Sequence, residues 1–399
     1  MKLRHFETKT ITVGSFAYAP GFNPYQRLFT NALEEAGVNV LRIPPAKWWP
    51  LTKACRRPVD ILHLDWHYDW YRGKNWLTRE LKRVMYHHGL AQFRRLPVVW
   101  TAHNLAAHDV DLGRSSAAND DHRMTQALIK RCQGIMVMSG ASERLLRERY
   151  TLPKSIRVAK VPHGHYIDAY PNVVSHSQSR KKLGLTDAAN VFLSLGSLRP
   201  YKGHRELIAA FGQIATADDH LLIAGKSLDS SYLDSLTGWI ASQPTSVRDR
   251  IELHVGEIAD ESLQDYFAAA DIAVLPFSDI LNSGSLLLAL SFGLPVVAPS
   301  IGSIPEVAIK EYHQGYSPQD SGGLQRALTN ARLRFGNCGQ IREERIDRRR
   351  ARSQAIIDET RKRYSWKSSA AKLVEFYQEL LAQNSTTRHA SDIRQRNEF

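Results

Sequence analysis

Residues 191–206 read Val191-Phe192-Leu193-Ser194-Leu195-Gly196-Ser197-Leu198-Arg199-Pro200-Tyr201-Lys202-Gly203-His204-Arg205-Glu206. The first five form a short apolar run of the kind that makes a strand. A helical pattern begins at Arg205 and continues to Ala215. Between them stand two glycines, which admit close backbone approach, and two cations, Arg199 and Lys202, suited to two phosphates. A strand, a glycine-bearing cationic loop and a helix open a parallel α/β unit whose ligands sit at strand carboxyl ends. The plainer reading is a solvated turn with incidental charges.

A second stretch favours phosphate. Leu275-Pro276-Phe277-Ser278-Asp279-Ile280-Leu281-Asn282-Ser283-Gly284-Ser285 runs into a helix over 286–292, with Asn282 or Ser283 as its natural N-cap. The amides of Ser283, Gly284 and Ser285 would then project from a positive helix end, a ready anion site. Capping alone accounts for this stretch in isolation. Beside Arg199 and Lys202 it points to a diphosphate.

The same alternation extends outward. Strands are expected at 10–16, 59–64, 96–101 and 134–138, with a helix over 24–35. The series restarts at 191–195 and continues at 220–224, 252–255, 272–275 and 294–298. A chain of 399 residues exceeds one ordinary core and suits two. Residues 1–170 are expected to form the first domain and 188–365 the second, with a polar linker over 170–187. Residues 342–352 read as an exposed charged helix. Residues 366–383 are amphipathic, with Ala370, Leu373, Val374, Tyr377 and Leu381 at helical spacing, and are expected to pack back onto the body. Residues 384–399 read as a disordered tail.

Composition narrows the class. Apolar residues are 43% and charged residues 23%, an ordinary globular balance. The longest apolar run, 286–298, is broken by Ser291, Gly293 and Pro295, so no stretch spans a bilayer. The N-terminus has no secretory pattern. Cys55, Cys132 and Cys338 lie far apart, without disulfide or metal spacing, which points to the cytoplasm. The net charge of +13 is uneven: residues 1–170 carry 26 Lys and Arg against 14 acids, the rest 27 against 26. Basic surface attracts nucleic acid, anionic lipid or phosphorylated substrates. No nucleic-acid signature appears, so nucleic acid is not expected as a partner. Lys47-Trp48-Trp49-Pro50-Leu51-Thr52-Lys53 mixes indoles and cations. So does 74–95, where Trp76, Leu77, Leu81, Met85 and Tyr86 accompany Arg79, Lys82 and Arg83. Such stretches are either solvated helices with an apolar face in the core or a peripheral contact with an anionic membrane.

Arg199 to Gly203, Ala269-Ala270-Asp271, Pro276, Phe292-Gly293-Leu294-Pro295-Val296-Val297-Ala298 and Gly302-Ser303-Ile304-Pro305-Glu306-Val307 together resemble the donor domain of GT-B glycosyltransferases, family 4 in particular. The likeness is strong over about residues 190–310 and looser over 10–170. It implies an α/β GT-B fold, two Rossmann-like domains facing across a cleft, with a C-terminal helix returning to the body. It also implies that Arg199 and Lys202 bind the phosphates of a nucleotide-diphosphate sugar, and that Gly256 and Glu257, in Val255-Gly256-Glu257-Ile258, bracket the nucleobase. One departure stands out. Family 4 members usually carry a Glu-x7-Glu pair here, and alignment on Gly293 puts Ile280 and Leu288 at those positions. The cluster Asn282-Ser283-Gly284-Ser285 resembles instead the helix start of inverting β-mannosyltransferases.

In the first half, Thr101-Ala102-His103-Asn104 matches a Thr-x-His-Asn that faces the donor sugar in this group. His103 either contacts a sugar hydroxyl, moves a proton, or is a structural loop histidine. Asp65, in His63-Leu64-Asp65-Trp66-His67, is a candidate base for the acceptor hydroxyl if the enzyme inverts, or else a capping or salt-bridged residue. Gly21, in Pro20-Gly21-Phe22-Asn23-Pro24-Tyr25-Gln26, would let the backbone approach the sugar-phosphate. Asp109-Val110-Asp111 resembles a metal-binding pair of another glycosyltransferase fold, but the cations and helix end already fill that role. His163 and His165 lack a third ligand nearby. No metal or other cofactor is expected. The expected reaction is hexosyl transfer to a saccharide acceptor, in surface polysaccharide assembly, with a polyprenyl-linked acceptor suggested by the basic first half. The enzyme would be cytoplasmic, at the inner membrane face. A non-catalytic nucleotide-sugar-binding relative is the alternative that the missing Glu pair keeps open.

Overall fold

The computed structural model describes residues 10–16, 23–44, 49–93, 96–105, 116–186, 190–336 and 342–396. The chain divides into two compact units: Met1–Gly164 with Trp366–Phe399, and His165–Ser365. Among the described residues no helix is long and apolar enough to cross a membrane.

The first unit runs β1 (Thr12–Phe16), α1 (Tyr25–Glu35), β2 (Asn39–Ile43), α2 (Pro50–Cys55), β3 (Ile61–Leu64), α3 (Trp76–Gln92), β4 (Val98–Thr101), α4 (Ser116–Arg131), β5 (Gly134–Val137), α5 (Gly140–Arg149) and β6 (Arg157–Lys160). Its six strands are parallel, in the order β2-β1-β3-β4-β5-β6. Central strands are apolar at successive positions because both faces are covered. Leu62 and Leu64 join one core cluster, and Ile61 joins the other.

The second unit runs α6 (His176–Lys182), β7 (Asn190–Leu195), α7 (His204–Ile214), β8 (Asp219–Gly225), α8 (Ser230–Ala241), α9 (Thr245–Arg248), β9 (Ile251–Val255), α10 (Leu263–Ala269), β10 (Ile272–Val274), α11 (Gly284–Ser291), β11 (Val296–Pro299), α12 (Ile304–Val307), β12 (His313–Tyr316), α13 (Gly323–Phe335) and α14 (Arg342–Arg363). Its parallel sheet has the order β12-β11-β10-β7-β8-β9, the Rossmann arrangement. Val191 and Leu193 pack on one face and Phe192 on the other. The last helix, α15 (Trp366–Arg396), belongs to the first unit, where Leu373, Phe376, Tyr377 and Leu380 pack with Phe29 and Leu33 of α1.

Four expectations need correction. The unit boundary falls after Gly164, six residues before the expected one. The stretch read as a linker contains α6, whose Arg180 is fully buried and donates to Asp271 at 2.6 Å and to the Ala269 carbonyl at 3.0 Å. Ala269-Ala270-Asp271 is thus partly an anchor for α6. The charged helix at 342–352 extends to Arg363 as α14 and is not simply exposed: Ile356 is buried, and Arg349 donates to the carbonyls of Ala268 and Ala270 at 2.5 and 2.7 Å. The tail beyond 383 continues α15 as helix to Arg396.

Candidate active site

In an open parallel sheet, ligands bind where the chain reverses its direction of strand addition. In the second unit β7, β8 and β9 are laid outward, and β10 then returns to the other side of β7. The reversal therefore lies between β7 and β10. The loops leaving those two strands are the two stretches that carried the phosphate reading.

Backbone geometry brings these loops together. Gly225 ends β8 at φ +153°, and a Cβ there would lie 1.8 Å from the Gly196 carbonyl oxygen. Gly203 has φ +68°, and a Cβ there would lie 1.9 Å from the Pro276 oxygen. No side chain fits at either position. After the short turn at Pro200–Lys202, the ammonium of Lys202 donates to Ser285 Oγ at 3.2 Å and lies 4.6 Å over the Phe277 ring. Burial, with the Arg199 charge beside it, pushes this ammonium down to about 8. Desolvated positive charge of this kind is relieved by an anion.

Ser283 is the N-cap of α11, its Oγ accepting from the Leu286 amide at 3.1 Å; Asn282 does not play that part. By helix geometry the amides of Ser283, Gly284 and Ser285 have no carbonyl within the helix to donate to. Lys202 and Ser283 to Ser285 thus meet at one point, with the charge of Arg199 beside Lys202. Gly256 and Glu257 lie elsewhere, after β9, two strands or roughly 10 Å from β7. Gly256 adopts φ +151° with open space around it, and Glu257 pairs with Lys226 at 2.9 Å, both exposed. Lys226 was not foreseen; nothing in its surroundings in the sequence marks it. Ile280 and Leu288 are half-buried against the apolar core of this unit.

In the first unit the reversal falls between β1 and β3, because β2 lies on the far side of β1. Asp65 directly follows β3, and His103 follows β4 by two residues. His103 Nε2 meets Asp65 Oδ1 at 2.9 Å, and Gln26 Nε2 donates to Asp65 Oδ2 at 3.1 Å and to the Phe16 carbonyl at 2.6 Å. The Asp65 side chain is 1% exposed. Burial alone would raise its carboxyl, but the His103 hydrogen bond and charge, then His63 and Gln26, hold it below the ordinary carboxylate value. An ionised carboxylate only accepts, so His103 Nε2 carries a proton and donates it. The His103 ring stacks on Trp66 at 4.1 Å and meets the Tyr25 ring edge-on at 4.8 Å.

Both oxygens of the buried Asp65 carboxylate thus carry a hydrogen bond, one of them shared with His103. The flanking imidazoles serve packing. His63 bonds Tyr377 and, at 2.5 Å, Thr101, and burial pushes it to about 4; His67 bonds Tyr86 at 3.0 Å and is pushed to about 3. Gln26 and Trp66 were missed, since only the fold brings α1 and β3 together. Gly21, Lys47, Trp48, Asp109 and Asp111 lie outside the described residues. No cluster of three or more potential metal ligands occurs among the described residues.

The family described as Glycosyl transferases group 1 matches residues 189–331. GDP-mannose:glycolipid 4-beta-D-mannosyltransferase of Xanthomonas campestris pv. campestris is 26% identical over 280 residues, 69% of this chain and 70% of that one. Sucrose-phosphate synthase from Thermosynechococcus elongatus superposes with a TM-score of 0.69 at 19% identity, covering 94% of this chain and 100% of that one. HepE of Anabaena, in complex with UDP and glucose, gives 0.66 at 15% identity over 92% and 100%. These two likenesses carry the fold, and the family match covers the donor loops. The chain is a GT-B-fold glycosyltransferase that draws on a nucleotide-sugar donor.

Proposed function

We propose that the chain moves a hexosyl group from a nucleotide-diphosphate sugar to a lipid-linked saccharide at the cytoplasmic face of a membrane, as a step in surface polysaccharide assembly. The observation that carries the donor half is the Lys202 ammonium meeting Ser285 at the amino end of α11. As the bond from the anomeric carbon to the diphosphate breaks, negative charge grows on the leaving oxygen. Lys202, Arg199 and the amides of Ser283, Gly284 and Ser285 are fixed to receive it. The first unit supplies the complementary step. His103 Nδ1 takes the proton of the acceptor hydroxyl, and Asp65 steadies the imidazolium that forms. A proton acceptor belonging to the protein suits an inverting displacement. Gly256 and Glu257 are read as nucleobase contacts, with Lys226 beside them. No metal is required in this scheme.

The lipid-linked acceptor is supported by the glycolipid named for the Xanthomonas relative and by the basic first half of the chain. That relative also makes GDP-mannose the first donor to try. Thermal-shift measurements with UDP-, GDP-, dTDP- and ADP-sugars should show stabilisation by one nucleotide class, at about 2.7 kcal/mol for ligand at a hundred times Kd. Stabilisation lost in Lys202→Ala supports the phosphate site; equal stabilisation in that variant refutes it.

A further inference from the structure

A diphosphate held at Lys202 and Ser285 can extend its nucleoside in one of two directions along the sheet edge. One is closed. The loop after β11 packs on the loop after β10, so that a Cβ on Gly302 would lie 2.0 Å from the Ile280 carbonyl oxygen and 3.0 Å from that of Leu281. In the other direction β7, β8 and β9 stand side by side and reach their ends at Gly196, Gly225 and Gly256. The Gly196 amide donates to the Ala224 carbonyl and the Gly256 amide to the Gly225 carbonyl, both at 3.0 Å. The three ends make a ledge of backbone without side chains of its own. Among the described residues, a Cβ on Gly196 would meet nothing nearer than Lys202 Nζ at 3.7 Å and Ser285 Oγ at 3.8 Å, and one on Gly256 would meet nothing within 4 Å. The ledge starts at the phosphate point and runs two strand spacings, about 10 Å, to the pair formed by Lys226 and Glu257.

These two side chains are 54% and 73% exposed, and an exposed ion pair contributes little to folding. What sets this pair apart is the pattern it presents at the end of the ledge. Lys226 Nζ donates to Glu257 Oε2 at 2.9 Å, which leaves two ammonium hydrogens unspent. The same bond holds the Glu257 carboxyl below its ordinary value, so at neutral pH it is ionised and only accepts. Along the pair stand one donor and then two acceptors. The edge of guanine reads acceptor, donor, donor, from O6, N1–H and the N2 amine, and matches at every place. Uracil and thymine put a carbonyl against the second acceptor. Adenine sets an amine against the ammonium and a bare ring nitrogen against the carboxylate. Leu228 follows Lys226 by two residues and Val255 precedes Glu257 by two; at 77% and 50% exposed they supply apolar surface for the face of a ring. We propose that Lys226 and Glu257 select a guanine nucleotide, the ammonium donating to O6 and the carboxylate accepting from N1–H and the N2 amine. The proposal rests on the reading of Glu257 as a nucleobase contact.

The test is isothermal titration of the full chain with GDP, UDP, ADP and inosine diphosphate, which carries O6 and N1–H but lacks the N2 amine. GDP should bind the native chain about tenfold or more tightly than inosine diphosphate, the worth of one hydrogen bond to a charged group, and more tightly than UDP or ADP. In Glu257→Gln one acceptor becomes a donor, and the advantage of GDP over inosine diphosphate should vanish. Lys226→Met should weaken both alike, because both carry O6, and leave their ratio intact. Both side chains are exposed, so the variants should keep the native melting temperature. Equal native affinity for GDP and inosine diphosphate, or a GDP advantage that survives in Glu257→Gln, would overturn the proposal. If the native chain prefers UDP or ADP and Glu257→Gln abolishes that preference, Glu257 touches the base and only the choice of guanine is refuted. If Glu257→Gln changes the affinity of none of the four, the nucleobase reading of Glu257 falls as well.

Discussion

Lys202 makes the donor site sensitive to pH in a way that can be calculated. Without donor its ammonium is pushed from the usual 10.5 to about 8 by burial and by Arg199. A bound diphosphate supplies two negative charges and should restore the ammonium to its ordinary range. Donor binding then takes up a proton above pH 8. The dissociation constant should rise by about tenfold between pH 7 and pH 9, or about 1.4 kcal/mol. Stability without donor should move the other way. Between pH 8 and 10.5 the unfolded chain holds a proton that the folded chain has released, so the Lys202 contribution to stability rises with pH. Isothermal titration of the nucleoside diphosphate from pH 6.5 to 9.5, at constant ionic strength, reads the first effect. Lys202→Arg stays charged throughout and should show a flat profile, whatever its absolute affinity. A flat profile for the native chain, or the same slope in Lys202→Arg, would refute the reasoning.

Gly203→Ala should lower stability by about 2–4 kcal/mol and weaken donor binding, because φ +68° and the Pro276 oxygen both forbid its Cβ; thermal melts and donor titration check this. His103→Gln should lower kcat by about 100- to 10,000-fold with donor affinity unchanged, and a normal kcat would remove His103 from the reaction. Gln26→Met removes a donor from Asp65 and strengthens the carboxylate's pull on the His103 proton. The variant should then lose kcat with donor affinity unchanged, and a normal kcat would mean that Gln26 serves the structure only. Finally, burial pushes His63 and His163 to about 4 and His67 to about 3, so the unfolded chain binds more protons than the folded one below the usual 6.5. Stability should therefore fall as pH drops from 6.5 towards 4, visible as declining urea midpoints, and His67→Phe should lessen that fall.

The central strands were legible because parallel strands buried on both faces are apolar at every position, as in Val191-Phe192-Leu193. The edges were not. β2, β6 and β12 read Asn39-Val40-Leu41-Arg42-Ile43, Arg157-Val158-Ala159-Lys160 and His313-Gln314-Gly315-Tyr316, and their partly exposed residues dilute the apolar signal. The two loops of the second unit were legible one at a time, the first by its glycines and cations and the second by its helix cap; that they meet through Lys202 and Ser285 needed the fold. The first-unit site was legible only in part. Asp65 and His103 follow apolar strands and so attract notice, but their partners Gln26 and Trp66, and the burial of the carboxylate, come from the fold. Sequence left Asp65 open between a base and a capping or salt-bridged residue; the hydrogen bonds to both its oxygens favour the second.

The replacement of two carboxylates by Ile280 and Leu288 acquires a physical meaning from their surroundings. Both side chains pack against the core beneath α11, and the Ile280 carbonyl lies so close to Gly302 that a Cβ there would come within 2.0 Å of it. A carboxylate at either half-buried place would give up the apolar contact made there. The loop is therefore organised around apolar packing and a glycine contact, a different solution from a motif that has merely lost its charge. Its polar chemistry has moved to backbone amides, the Ser285 hydroxyl and Lys202. Fixed donors of that kind stabilise a departing diphosphate without contacting particular hydroxyls of the sugar. If Glu257 and Lys226, which stand exposed as a pair, take the nucleobase as proposed, discrimination among donors falls to that end.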